Sequence, residues 1–389
     1  MTRPLAERVT RLGTESAFEV LRRARALEAA GRDVIHLEIG QPDAPTAEPV
    51  VEVAVEALRN GAHGYVPTLG LPELRQAVAD DASRRRSMRV SPDDVVITPG
   101  GKPVMSFVLL AVVERGDEVL VPDPGFPIYR SMVEFCGATA VSVPLRSSNG
   151  FRVDPDELAS LVSDRTKLVV LNSPNNPTGG VSPAADLAAV ADTARRHDLW
   201  VLSDEIYSRL QFDEPFRSIA AEDDMAERTI VLDGHSKTYA MTGWRLGHAL
   251  APPVLVPHLE RLLVNTVSCT PPFTQLAGVE ALIGDQAPTD AMLATYRRRR
   301  DLMVDRLDRI DGITCHPPGG AFYAFPDVTG TGLDDNTFAD RLLDEAGVAT
   351  LAGSGFGAHG AGHLRLSLAA SDDDLDEALS RLADFVAEL

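Results

Sequence analysis

Through the middle of the chain, short apolar runs alternate with segments whose apolar residues recur every three or four positions. The runs Asp94–Thr98, Glu118–Val121, Thr139–Val143, Leu168–Asn172, Trp200–Ser203 and Thr229–Leu232 are brief and mostly aliphatic, which predicts buried strands. Between them, Gly101–Glu114, Pro127–Cys136 and Ala184–Arg196 carry the helical period. This β-α-β alternation predicts an α/β fold with a mostly parallel central sheet covered by helices. The flanks read differently. Ser16–Ala30 is a helical pattern ahead of the sheet region; Met292–Ile310 and Asp373–Leu389 are helical patterns beyond it, with short strands between them. The expected organisation is a large domain over residues 46–285 and a smaller α+β domain built from both ends, residues 1–45 and 286–389.

Composition narrows the function. A chain of 389 residues, 44% apolar and 24% charged, can bury two ordinary cores. Its net charge, 37 − 57 = −20, argues against a nucleic-acid surface, because phosphate binding needs clustered positive charge. Cys136, Cys269 and Cys315 are odd in number and lack metal-ligand spacing, so a reduced, cytoplasmic setting with no metal is expected. No uninterrupted apolar run approaches the length of a membrane span, and the first residues do not resemble a signal peptide.

Lysine usage changes the picture. Of 37 basic residues only Lys102, Lys167 and Lys237 are lysines, so 37 − 3 leaves 34 arginines. A lysine retained against that background suggests chemistry that a guanidinium cannot perform. A lysine amine can lose its proton and attack a carbonyl to form a Schiff base. Lys237 lies in His-Ser-Lys-Thr-Tyr-Ala-Met-Thr-Gly-Trp-Arg, residues 235–245, with Arg245 eight residues on. An imine-forming lysine and a nearby arginine suit an aldehyde cofactor that carries phosphate; a solvated basic pair is the alternative. Lys167 flanks a strand and has no assigned chemistry.

Three other segments follow predicted strands. Residues 171–180, Leu-Asn-Ser-Pro-Asn-Asn-Pro-Thr-Gly-Gly, form an irregular loop past a strand's carboxyl end, where ligands bind in open α/β sheets. A plain turn would need fewer asparagines. In residues 202–207, Leu-Ser-Asp-Glu-Ile-Tyr, Asp204 and Tyr207 would face one site if the segment turns. A buried Asp204 would need a partner, such as a protonated heterocyclic nitrogen; a surface acidic turn is the alternative. Thr98-Pro-Gly-Gly-Lys102 joins a strand to a helix, and its glycines would let backbone amides approach a phosphate. Lys102 would add charge there or be an exposed cap.

Together these segments resemble the class I/II aminotransferases, pyridoxal 5′-phosphate (PLP) enzymes of fold type I. The ordered motifs are Asn-x-Pro-x-Asn-Pro-Thr-Gly at 172–179, Asp-x-x-Tyr at 204–207 and Ser-Lys-x-x-x-Met-Thr-Gly-Trp-Arg at 236–245. Gly-Gln-Pro-Asp at 40–43, Gly-Leu-Pro-Glu-Leu-Arg at 70–75, Gly-Ala-Phe-Tyr at 320–323 and Arg-Leu-Ser at 365–367 extend the resemblance from about residue 6 to the C-terminus.

The resemblance implies a role for each position. Lys237 would hold PLP through an internal Schiff base and later shuttle a proton. Asp204 would keep the pyridine nitrogen protonated, while Asn176 and Tyr207 would hydrogen-bond the phenolic oxygen. Phe126 would stack on the ring. Gly101, Lys102, Ser236 and Arg245 would surround the phosphate, with Tyr65 reaching it from a partner subunit of a homodimer. Arg365 would clamp the substrate α-carboxylate, near Gly40 and Asn176. The large domain would be the PLP-binding one. The implied activity is ping-pong amino transfer between an L-amino acid and a 2-oxo acid. β/γ-Elimination, replacement or carbon–carbon bond formation on the same anchors is the alternative, and a non-enzymatic PLP-binding module is disfavoured by the charge. Side-chain selection would involve Gly13–Phe18, Lys102 and the partner subunit. Three positions depart from the pattern. Gly234 stands where many members have serine, His235 where an aromatic residue is common, and Ala352 where proline is common. His235 is expected to serve packing, with an extra acid/base or substrate contact as the alternative.

Overall fold

The computed structural model describes residue 3 and residues 5–389. Its centre is a seven-stranded sheet: β1 (Val95–Thr98), β2 (Glu118–Asp123), β3 (Thr139–Pro144), β4 (Thr166–Asn172), β5 (Trp200–Asp204), β6 (Thr229–Gly234) and β7 (Gly247–Leu250). Their order across the sheet is β1-β7-β6-β5-β4-β2-β3. The pairs from β6 to β3 are all parallel, whereas β7 runs antiparallel to both β1 and β6. Residues of β1, β2 and β6 are buried throughout, as expected of strands covered on both faces.

The parallel register positions the chemistry. Asn172 pairs with Asp204, and Asp204 with Leu232, so the carboxyl ends of β4, β5 and β6 lie side by side. The loops that follow them carry Asn176, Tyr207 and Lys237 to one edge. That edge is where ligands collect in open α/β sheets.

Strand β7 has no counterpart in the hydrophobic pattern. Its four residues, Gly-His-Ala-Leu, are too few and too small to signal a strand. The small residues have a reason: a Cβ on Gly247 would stand 2.5 Å from the carbonyl carbon of Gly100. Four helices of eleven or more residues also lie outside the predicted segments, namely Glu48–Arg59, Pro72–Arg86, Val256–Thr266 and Pro272–Ile283. Pro72–Arg86 buries Asp81 and Arg86 among its apolar residues, which obscures the amphipathic period. Pro272–Ile283 packs against both Glu48–Arg59 and Pro72–Arg86 and is apolar around most of its circumference.

Ahead of the sheet, Ile35–His36 pairs in parallel with Val348–Ala349. Tyr323–Ala324 and Leu351–Ala352 flank Leu364–Ser367 in a small antiparallel sheet. One core joins these segments, with Leu37, Tyr296, Phe322, Phe338, Leu366 and Leu379 among its buried members. Helices Ser16–Ala29, Ala287–Leu307 and Asp372–Ala387 lie close to their predicted ranges. This arrangement fixes Arg365 and Tyr323 on neighbouring buried strands that face the sheet's carboxyl edge. Among the described residues, no helix is long and apolar enough to cross a membrane.

Candidate active site

Every site residue predicted from the sequence except Tyr65 lines one cavity of about 490 Å³ at the carboxyl edge of the sheet. Tyr65 is 92% exposed and lies outside it.

Lys237 sits in the single helical turn His235–Thr238, which begins where β6 ends. Its ammonium donates to the main-chain oxygen of Gly40 and lies 5.8 Å from the ring centre of Phe322. Burial pushes its pKa down to about 8, and the charges of Arg365 and Arg245 act in the same direction. Lys237 is therefore an amine that can be neutral near physiological pH.

Asp204 closes β5. Tyr129 donates to its Oδ2 at 2.6 Å, and the Ile206 N–H donates to Oδ1 at 3.2 Å. Burial raises its pKa to about 6, against the lowering effect of the Tyr129 hydrogen bond. Behind it, buried Arg86 donates to Glu205 at 2.7 Å and to Asp233 at 2.6 Å. Arg86 thus partly offsets the charge of two acids that oppose ionisation of Asp204.

The 172–180 loop is held by its own asparagines. The Asn176 N–H donates to Asn172 Oδ1 at 2.8 Å, and Asn172 Nδ2 donates to the main-chain oxygen of Asp204 at 3.1 Å. Arg365 Nη1 donates to Asn176 Oδ1 at 3.1 Å, while Nη2 donates to the main-chain oxygen of Glu38. The Nε of Arg365 is buried without a hydrogen-bond partner among the described residues. The guanidinium also lies 4.5 Å from the ring centre of Tyr323, whose hydroxyl is 3.0 Å from that of Tyr207. Gly40 leaves room for Tyr323, because an added Cβ would stand 2.2 Å from the Tyr323 hydroxyl and displace that ring.

The loop before helix Lys102–Val112 approaches Arg245. Gly100 has φ +89°, and a Cβ on it would stand 2.1 Å from Arg245 Nη2. The backbone can therefore close on the guanidinium only with glycine at this position. Gly101, Ser236 and Arg245 line the cavity there. This combination of a helix N-terminus, a hydroxyl and a guanidinium suits a phosphate. Lys102 behaves differently: its ammonium pairs with Glu15 and lies 5.6 Å from the ring centre of Phe126.

Gly234 leaves little room for the serine common elsewhere, since its Cβ would meet Leu246 O and Gly247 Cα at 3.0 Å. His235 is buried away from the cavity, where its Nε2–H donates to Gly278 O at 3.2 Å. Burial, with His248 nearby, holds its pKa down at about 3, so it stays neutral as packing. The sequence assigns no role to Tyr129, Tyr323, Asn172 or Arg86, and includes Glu15 only within the segment Gly13–Phe18 expected to take part in side-chain selection. Asn172 and Tyr323 stand inside the motifs at 172–179 and 320–323, and Tyr129 lies three residues past Phe126, so position beside named residues is an available signal.

The geometry agrees with the relatives this chain has. The sequence profile of the aminotransferases of class I and II matches residues 32–382. The chain is 36% identical to an aspartate aminotransferase of Musicola paradisiaca, over 99% of this chain and 97% of the relative. It is 40% identical to an arginine–pyruvate transaminase of Pseudomonas aeruginosa, over 96% and 95% respectively. The aspartate aminotransferase of Thermus thermophilus, solved with maleate, superposes with a TM-score of 0.94 at 36% identity, covering 98% of this chain and 100% of that one. Likeness of this extent in both sequence and backbone places the chain in the class I and II aminotransferase family, enzymes that transfer amino groups.

Proposed function

We propose that the chain is a PLP-dependent aminotransferase that moves the amino group of an L-amino acid to a 2-oxo acid in two half-reactions at the cavity around Lys237. The observation that carries this reading is a buried amine of lowered pKa sharing one cavity with Asp204 and Arg365.

The residues fit the cofactor. Arg245, Ser236 and the amides at Gly101 and Lys102 would hold its phosphate, where Gly100 lets the backbone meet Arg245. Asp204, braced by Tyr129, would hold the ring nitrogen protonated. Phe126 would cover one face of the ring, and Asn176 and Tyr207 would meet its phenolic oxygen. When bound, PLP supplies an electron sink for the pair left on the substrate's Cα.

The chain's own groups do the rest. Arg365 takes the substrate α-carboxylate in a two-pronged pair, to which its unpartnered Nε can contribute. That anchor fixes the Cα–H bond toward Lys237. The neutral Lys237 Nζ accepts the Cα proton and carries it across the site, a transfer that a pKa near 8 favours. Tyr323 and Gly40 shape the wall against which the substrate lies. The relatives' names favour amino transfer over elimination, replacement or carbon–carbon bond formation.

Tyr65, exposed within one subunit, is read as reaching a partner's phosphate in a homodimer. Sedimentation should give a dimer, and a fully active monomer would contradict it. The functional test is incubation of the holoenzyme with an amino donor alone. A 2-oxo acid and pyridoxamine phosphate should appear in equal amounts without free ammonia. Ammonia release without pyridoxamine phosphate would overturn the reading.

A further inference from the structure

The cavity's charges can be assigned one by one. Its cations are Lys102, Lys237, Arg245 and Arg365, and its acids are Glu15 and Asp204. On the proposed function, phosphate takes Arg245, the substrate α-carboxylate takes Arg365 and the ring nitrogen takes Asp204. Glu15 and Lys102 are then left at the mouth, already paired with each other. Among the described residues of one subunit, no unmatched cation lining the cavity remains for a second carboxylate.

The two partners are not equally free to leave. The Lys102 side chain is 46% exposed, and that of Glu15 17%. Lys102 can swing into water at little cost, as an exposed ammonium on a flexible stem. Glu15 is held by its place at the start of helix Ser16–Ala29, and its carboxylate makes no capping bond to that helix. It is therefore available to the cavity. The Lys102 ammonium also lies 5.6 Å from the ring centre of Phe126, within cation–π range. A carboxylate and an aromatic ring thus surround a single cation position.

We propose that Glu15 and Phe126 form the subsite for the substrate's distal group and select amino acids that end in an ammonium or guanidinium, a position filled in this structure by Lys102. This reading rests on Arg365 holding the α-carboxylate. A cationic side chain would send the Lys102 ammonium to solvent and keep one ion pair at Glu15. A distal carboxylate would instead have to displace Glu15, leaving that less exposed acid without a partner. Discrimination arises from this unmatched charge, not from cavity size.

Calorimetric titration of the holoenzyme with 5-guanidinopentanoate and with glutarate tests the proposal. Each ligand offers one carboxylate to Arg365, and neither has an α-amino group, so binding is read without turnover. The guanidino acid should bind about tenfold more tightly, the scale of one charge-assisted hydrogen bond. Glu15→Gln should abolish that preference, and Lys102→Met should strengthen guanidino-acid binding by removing the competing ammonium. Equal or tighter binding of glutarate to the wild type, or an unchanged ratio in Glu15→Gln, overturns the proposal alone. Failure of both ligands to bind overturns the role of Arg365, and this subsite with it.

Discussion

Replacing Arg365 with methionine should cost most where the substrate carries an α-carboxylate. Arg365 is buried, and two of its nitrogens are already committed to Asn176 and Glu38. Its Nε has no partner among the described residues. A substrate carboxylate pairing with such a group gains two charge-assisted hydrogen bonds, each worth about 1.5–3 kcal/mol. Their loss totals about 3–6 kcal/mol, which at 1.36 kcal/mol per tenfold lowers kcat/KM by about 10²–10⁴. The assay compares an amino acid with a primary amine of similar length that lacks the carboxylate. The amine has no bond to lose and should change by no more than a few-fold. An equal loss for both donors would refute the reasoning, because Arg365 would then be supporting the cavity rather than the substrate.

Other perturbations follow from the same geometry. In the cofactor-free protein, the rate at which Lys237 captures PLP should rise with pH and level off above about 8, because only the neutral amine attacks and burial has lowered its pKa. A rise continuing toward the ordinary lysine value in a pH-rate profile would contradict this. Tyr129→Phe removes a hydrogen bond that lowers the pKa of Asp204, so its carboxylate should titrate above about 6 in carbon-13 NMR. An unchanged midpoint would show that Tyr129 does not stabilise the ion. Arg86→Leu leaves Glu205 and Asp233 buried and unpaired and should cost about 3–5 kcal/mol in urea unfolding, against no measurable loss if the network were slack.

Much of the site was legible because the chemistry follows strands. Asn176, Tyr207 and Lys237 each lie a few residues past an apolar run, and parallel pairing brings the ends of those runs to one edge. Arg365 lies on a short strand between small antiparallel neighbours, and periodicity gave it no place. Only the resemblance marked it. The unread parts depend on contacts between residues far apart in the chain. Tyr129 meets Asp204 across 75 positions, and Glu15 meets Lys102 across 87, so no local pattern records either pair. Strand β7 is hidden for another reason: its glycine serves close packing against Gly100, which removes the apolar signal that a strand normally carries. Helix Pro72–Arg86 looks polar because its buried charges find partners on other elements.

The scarcity of lysine makes the covalent role of Lys237 directly testable. Loading the protein with PLP, reducing with borohydride and mapping the modified peptide by mass spectrometry distinguishes Lys237 from Lys102 and Lys167, the chain's other two lysines. One pyridoxyl group per chain is expected, all of it on Lys237. A label on Lys102 or Lys167 with Lys237 unmodified, or no covalent label at all, would contradict it.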